Sequence, residues 1–220
     1  VLRDWLTTVL ATFAGLFPIV NPFSTAAVFL AITGHMSDGE RQRQATLACI
    51  YATGVLLVFL FGGTLIMGFF GISIPSLRIA GGLIVARIGF RMLSPAEDTP
   101  SAPPQRLDIA FTPLAVPMLS GPGSIAVTIG MAAGAHSLAD DLAIVAGILL
   151  VLLTSWGVLR AARTVKRMFG DRGIDVMTRI MGFLLVCIGV QFIGIGIIEV
   201  ATDERLLRAL LAALARGRPG

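Results

Sequence analysis

Two short polar runs interrupt an otherwise apolar chain. The first is Asn21-Pro22-Phe23-Ser24-Thr25, with Pro18 just upstream; the second is Ser120-Gly121-Pro122-Gly123-Ser124, preceded by Pro117. Proline lacks an N–H, and its ring clashes with the preceding helical turn. Pro22 therefore leaves the Pro18 carbonyl without a helical donor, Pro18 does the same to Ala14, Pro122 to Met118 and Pro117 to Pro113. Each run ends one helix in free carbonyls, which favour a cation, and starts another in free N–H groups, which favour an anion. Asn21, Ser24, Ser120 and Ser124 stand where caps are expected. Apposed ends of this kind suit a small zwitterion, its carboxylate on the N–H groups and its ammonium on the carbonyls and the Asn21 side-chain oxygen. The candidate binding residues are Asn21, Pro22, Ser24, Thr25, Ser120, Gly121, Gly123 and Ser124. One kinked helix would mean little, because membrane helices are rich in Pro and Gly. Two breaks at matching places are a stronger signal.

The elements that must carry these runs are membrane helices. Of 220 residues, 55% are hydrophobic and 14% charged, and the mean hydropathy is +0.87. A soluble domain carries roughly a quarter charged residues, so the expected class is all-α integral membrane protein. A net charge of +4 is read as membrane orientation and lipid headgroup contact, not nucleic-acid binding. Charge-free stretches predict six spans, at 5–33, 45–70, 73–93, 108–134, 141–160 and 174–199, with helices 1 and 4 discontinuous. The apolar N-terminal run is read as the first span, since no polar cleavage region follows it. The segment SPAEDTPSAPPQRLD (94–108) reads as linker. The repeats are placed at 1–98 and 108–220, with 99–107 between them. The end, 201–220, sets Arg205, Arg208 and Arg216 against Leu206, Leu207, Leu210 and Leu211, an amphipathic pattern suited to the headgroup region.

The halves look duplicated. Besides the two proline runs, RIAGG (78–82) matches RIMGF (179–183), and IGFRM (88–92) matches IGVQF (188–192), in the same order. A unit of three spans returns the chain to the opposite side, so its copy enters the membrane upside down. Inverted repeats with paired broken helices mark the binding site of many secondary transporters. Loops after spans 1, 3 and 5 carry Arg41, Arg43, Arg91, Arg106, Arg160, Arg163, Lys166, Arg167 and Arg172. The positive-inside rule places that face in the cytoplasm and both termini outside.

Other polar residues are read more plainly. Arg87 and Arg91, four apart, are expected to snorkel to the headgroups. Glu199 is expected to be solvated, His35 and His136 to lie in loops, and Cys49 and Cys187 to be small buried hydrophobes. Gln191 is read either as a cavity residue or as paired with backbone. No Asp or Glu lies deep in any span, so proton coupling has no evident carrier, and sodium on freed carbonyls and uncoupled exchange are the other options. Ser24 and Ser124 have no base nearby in sequence, and no metal-binding pattern occurs, so neither enzyme activity nor a cofactor is expected.

NPFSTAAVFLAIT, GISIPSLRIAGGLIVARIGFRML and PLAVPMLSGPGSIAVTI, in that order, resemble the MarC family, which includes the SnatA-like small neutral amino acid transporters. The resemblance covers nearly the whole chain and maps the NP stretch to Asn21 and Pro22, and the GPG stretch to Gly121, Pro122 and Gly123. It implies a multi-pass protein of a bacterial or archaeal inner membrane that moves amino acids such as glycine and alanine. Phe23 and Arg87 depart from the usual pattern of that family. The expected partners are the amino acid, a coupling sodium ion or proton, and membrane lipids; the oligomeric state is not legible. The alternative is a channel or passive facilitator for small polar solutes, which needs a continuous polar lining that the sequence does not offer.

Overall fold

The computed structural model describes residues 2–94 and 110–202. The linker 99–107 and the arginines of the amphipathic tail lie outside the described residues. The described chain is helical, with no strand: α1 (Leu2–Val20), α2 (Pro22–Ile32), α3 (Asp38–Phe69), α4 (Ile74–Leu93), a π-helix (Ala110–Leu119), α5 (Pro122–Ala132), α6 (Leu138–Arg160) and α7 (Ala162–Ala201). Among the described residues, four rods are long and apolar enough to cross a membrane: Leu2–Ile32 taken across its break, Asp38–Phe69, Leu138–Arg160 and Ala162–Ala201. α4 has the length, but Arg78, Arg87 and Arg91 dilute its apolar character, and α5 is a shorter apolar helix.

Local chemistry sets where the helices start. Ser37 Oγ accepts from the Glu40 N–H at 3.3 Å, and Glu40 Oε2 accepts from the Ser37 N–H at 2.9 Å. This reciprocal cap begins α3 at Asp38, well before the apolar stretch from 45. α6 opens in a related way: Ser137 Oγ accepts from the Asp140 N–H at 3.2 Å, and Asp140 Oδ2 accepts from the His136 N–H at 3.1 Å. Pro22, Pro75 and Pro122 occupy first turns, where a missing N–H costs nothing. α7 is longer than the predicted 174–199. Gly170, at φ 63 and ψ 177, bends it into an arm, 162–169, and a long rod. That backbone suits glycine alone.

Between membrane helices the driving force is close packing, and small residues allow it. α4 and α7 meet along such a seam. A Cβ on Gly196 would lie 2.8 Å from the Pro75 carbonyl oxygen, one on Gly82 2.6 Å from that of Gly189, and one on Gly89 2.6 Å from that of Gly182. Numbers rise on α4 as they fall on α7, so the helices run antiparallel. The contacts recur every seven residues. Elsewhere α1 packs on α6 and the π-helix on α3, while α2 packs on α7 and α5 on α4. Gly147 admits Thr12 at the first of these contacts, since a Cβ there would stand 2.5 Å from Thr12 Cβ. The buried core gathers Leu16, Phe29, Leu56, Leu114, Val127, Ile148 and Leu185 from these helices. Large apolar side chains such as Leu65 and Phe69 stay exposed on the outer surface, as lipid contact requires. Cys49 is buried as expected, but Cys187 is exposed, on the outer face of α7.

Candidate functional site

The first break falls at one residue. α1 runs through Pro18 to Val20 without interruption, because its final turn still bonds: the Asn21 N–H donates to the Phe17 carbonyl at 2.9 Å. Asn21 then turns left-handed, at φ 39 and ψ 71, the one non-glycine with positive φ among the described residues. Asparagine enters that region more readily than other side-chain-bearing residues. Its Oδ1 caps α2 by accepting from the Ser24 N–H at 3.3 Å. Ser24 is thus the capped residue, not the cap. The carbonyl of Val20, exposed by the turn, accepts the Thr25 hydroxyl at 3.0 Å.

The second break is built differently. Its upstream arm is a π-helix, whose wider turn carries the Ser120 N–H to the Ala115 carbonyl at 2.8 Å. The Ser120 hydroxyl donates to the same carbonyl at 2.9 Å, and the Ser124 hydroxyl donates to the Leu119 carbonyl at 3.4 Å. Neither serine caps α5, contrary to expectation. The N-cap is Gly121, which is extended and offers no side-chain acceptor. The first-turn N–H groups of α5 therefore face outward from the helix end without a cap.

The two breaks open on one cavity of about 350 Å³. That volume lies at the low end of ligand sites, roughly 300–1,000 Å³. Of the eight residues proposed from sequence, six line it: Asn21, Ser24, Thr25, Gly121, Gly123 and Ser124. Pro22 and Ser120 are buried but do not line it. Ile19, Ile88, Met92 and Met118 supply apolar wall.

Arg91 also lines the cavity, which the sequence reading missed. Arg87, one turn earlier, does not line it; both side chains are exposed, but only Arg91 borders the cavity. Among the described residues the lining holds no carboxylate. Asn21 is 4% exposed, and its Nδ2 is buried without a hydrogen-bond partner. An orphaned donor of this kind costs on the order of 1–3 kcal/mol unless something accepts from it. The N-termini of α2 and α5, the Asn21 amide and the Arg91 guanidinium all present positive charge or donors. Asn21 Oδ1, expected to meet an ammonium, instead caps α2, and the Val20 and Leu119 carbonyls at the breaks already receive hydroxyls. Hydroxyl oxygens of Ser24, Thr25 and Ser124 keep lone pairs in the cavity.

Residues around the cavity behave in mixed ways. Phe23 bridges Phe17, at 6.4 Å between ring centroids, and Phe169 of the α7 arm, at 6.1 Å. Glu199 is not simply solvated: it forms an ion pair with Arg78, tying the ends of α4 and α7. His35, His136 and Gln191 are exposed, outside the cavity.

The family described as MarC family integral membrane protein matches residues 6–201. The inner membrane protein MarC of Escherichia coli strain K12 is 45% identical over 207 aligned positions, covering 84% of this chain and 91% of the relative. Its counterpart in Shigella flexneri matches to the same extent. No solved structure matches the chain significantly.

Proposed function

The chain belongs to the MarC family of integral membrane proteins, and on that premise we propose that it is a multi-pass inner-membrane secondary transporter of small neutral amino acids. The observation that carries the reading is the shared cavity. Residues from two breaks about a hundred positions apart line one small chamber that is rich in donors and, among the described residues, free of carboxylates. The substrate's carboxylate sits against the α5 N-terminus, Asn21 Nδ2 and Arg91. Its ammonium meets the hydroxyl oxygens of Ser24, Thr25 and Ser124. Glycine and alanine suit the volume, with Ile19, Ile88 and Met118 against the side chain.

The six-span inverted repeat belongs to the same reading. It is supported by features spaced one hundred residues apart: Pro22 and Pro122, the caps at Ser37 and Ser137, Gly82 and Gly182, Gly89 and Gly189. The packing pairs exchange under the same relation: α1 on α6 corresponds to the π-helix on α3, and α2 on α7 to α5 on α4. Alternating access then consists of one half rocking on the other around the breaks. The cavity's Arg91 and Met92 wall lies near the end of α4, on the arginine-rich face, so this conformation is the one turned toward the cytoplasm, with both termini outside. Because no Asp or Glu among the described residues lines the cavity, sodium or plain exchange is the simpler coupling.

Binding of labelled alanine to the purified protein, with competition by glycine, propionate and ethylamine, tests the site. Glycine should compete best, propionate weakly through its carboxylate and ethylamine not at all. Competition by ethylamine alone would overturn the assigned polarity.

A further inference from the structure

A second site lies outside the cavity, along the seam where α3 packs on α6. At the arginine-rich face this seam holds a pocket of about 220 Å³ whose wall includes Asp38, Arg41, Gln42, Arg160 and Arg163. Three arginines face one aspartate there. Arg41 is 8% exposed and holds the loop together: it donates to Thr33 Oγ1 at 3.1 Å and to the Thr33 carbonyl at 3.0 Å, and pairs with Asp38 at 2.8 Å. Arg163 reaches Asp38 at 2.7 Å from the other side but remains 64% exposed. Arg160 donates to Gln42 Oε1 at 2.9 Å and stacks 4.8 Å over the Trp156 ring. With one carboxylate shared between two guanidiniums, the pocket keeps net positive charge and unused donors.

One turn deeper the same two helices form a groove of about 560 Å³, walled by Thr46, Ile50, Thr53, Leu149, Leu153 and Trp156. Its polar groups are already used. Trp156 Nε1 donates to Thr46 Oγ1 at 3.0 Å, Thr46 donates to the Gln42 carbonyl at 2.9 Å, and Thr53 donates to the Cys49 carbonyl at 2.8 Å. Whatever fills the groove needs no hydrogen bonds, while whatever fills the pocket above needs negative charge. Gln42 and Thr46 on α3, and Trp156 and Arg160 on α6, join the two spaces end to end. Basic pockets between helices at a cytoplasmic membrane face suit anionic lipid headgroups.

We infer that the α3–α6 seam binds one anionic phospholipid, its phosphate at Arg160 and Arg163 and an acyl chain along the groove past Trp156 to Thr53. Native mass spectrometry of the full chain, purified in detergent, tests this with phosphatidylglycerol, phosphatidylcholine and inorganic phosphate as separate probes. Phosphatidylglycerol should remain bound and raise the melting temperature, whereas phosphatidylcholine and phosphate should do neither. The R160Q/R163Q double variant should retain phosphatidylglycerol roughly thirtyfold less well, as expected for losing two cationic contacts. Leu153→Trp fills the groove without touching an ion pair and should weaken retention while the protein stays folded. Equal retention of both lipids, stabilisation by phosphate alone, undiminished binding in both variants, or a disulfide-linked dimer of the Ile50→Cys or Leu153→Cys variant would each overturn the assignment, the last by showing a second copy on this face.

Discussion

Gly82 and Gly189 face each other so closely that a Cβ on either would lie 2.6 Å from the other's carbonyl oxygen. The contact is reciprocal, and Gly89 with Gly182 repeats it one heptad along. Backbone cannot yield as a side-chain tip can. Gly82→Ala should therefore destabilise the protein by about 1–3 kcal/mol, the usual cost of overpacking, read as a lower melting temperature in detergent. Gly54, with nothing within 4 Å of an added Cβ, is the control. Its change to Ala should be neutral or stabilise by roughly 0.5–1 kcal/mol.

Asn21 combines a structural and a binding role, and they can be separated. Glycine accepts the left-handed backbone and costs an N-cap only a few tenths of a kcal/mol. Asn21→Gly should thus fold and insert normally. It should still bind alanine about tenfold more weakly, because the Nδ2 donor worth on the order of 1.4 kcal/mol is gone. Unchanged affinity in a folded variant would remove the amide from the site.

Arg91 and Arg87 lie one turn apart with different surroundings. Arg91→Gln should lower affinity for alanine about 10- to 100-fold, as for loss of a charged hydrogen bond, and Arg91→Lys should recover part of it. Arg87→Gln should leave affinity unchanged. Equal effects from the two changes would mean that bulk positive charge, not a contact in the cavity, attracts the ligand.

Size selection should reside at Gly123. A Cβ there would meet Ile19 Cγ2 and Val85 Cγ2 at 3.3 Å, both side-chain ends that can shift slightly. Gly123→Ala should therefore fold but shrink the cavity, weakening alanine more than glycine in competition binding. A uniform loss for both ligands would point to general disturbance of the break.

The breaks were legible in sequence because proline leaves an unavoidable gap in hydrogen bonding, and six of the residues chosen around it line the cavity. Arg91 was not, since a helix rotates its residues by angle while tertiary packing decides which angle faces a cavity. The π-helix before Ser120 escaped for a similar reason: Pro117 says that an α-turn is weakened, not what replaces it. Helix starts were readable but were read from hydropathy alone. Ser37-Asp38-Gly39-Glu40 and Ser137-Leu138-Ala139-Asp140 each place a hydroxyl three residues before an acid, which is a capping signature. The bend at Gly170 and the aromatic contact from Phe23 to Phe169 needed the fold, because their partners lie far apart in the chain.

The most direct measurement is counterflow in proteoliposomes of purified protein preloaded with unlabelled alanine, followed with labelled alanine outside, with and without a sodium or pH gradient. Uptake that overshoots, saturates and falls in Asn21→Gly and Arg91→Gln is the expected result. Flux that rises linearly with concentration, or no flux at all, would contradict a binding chamber at the paired breaks.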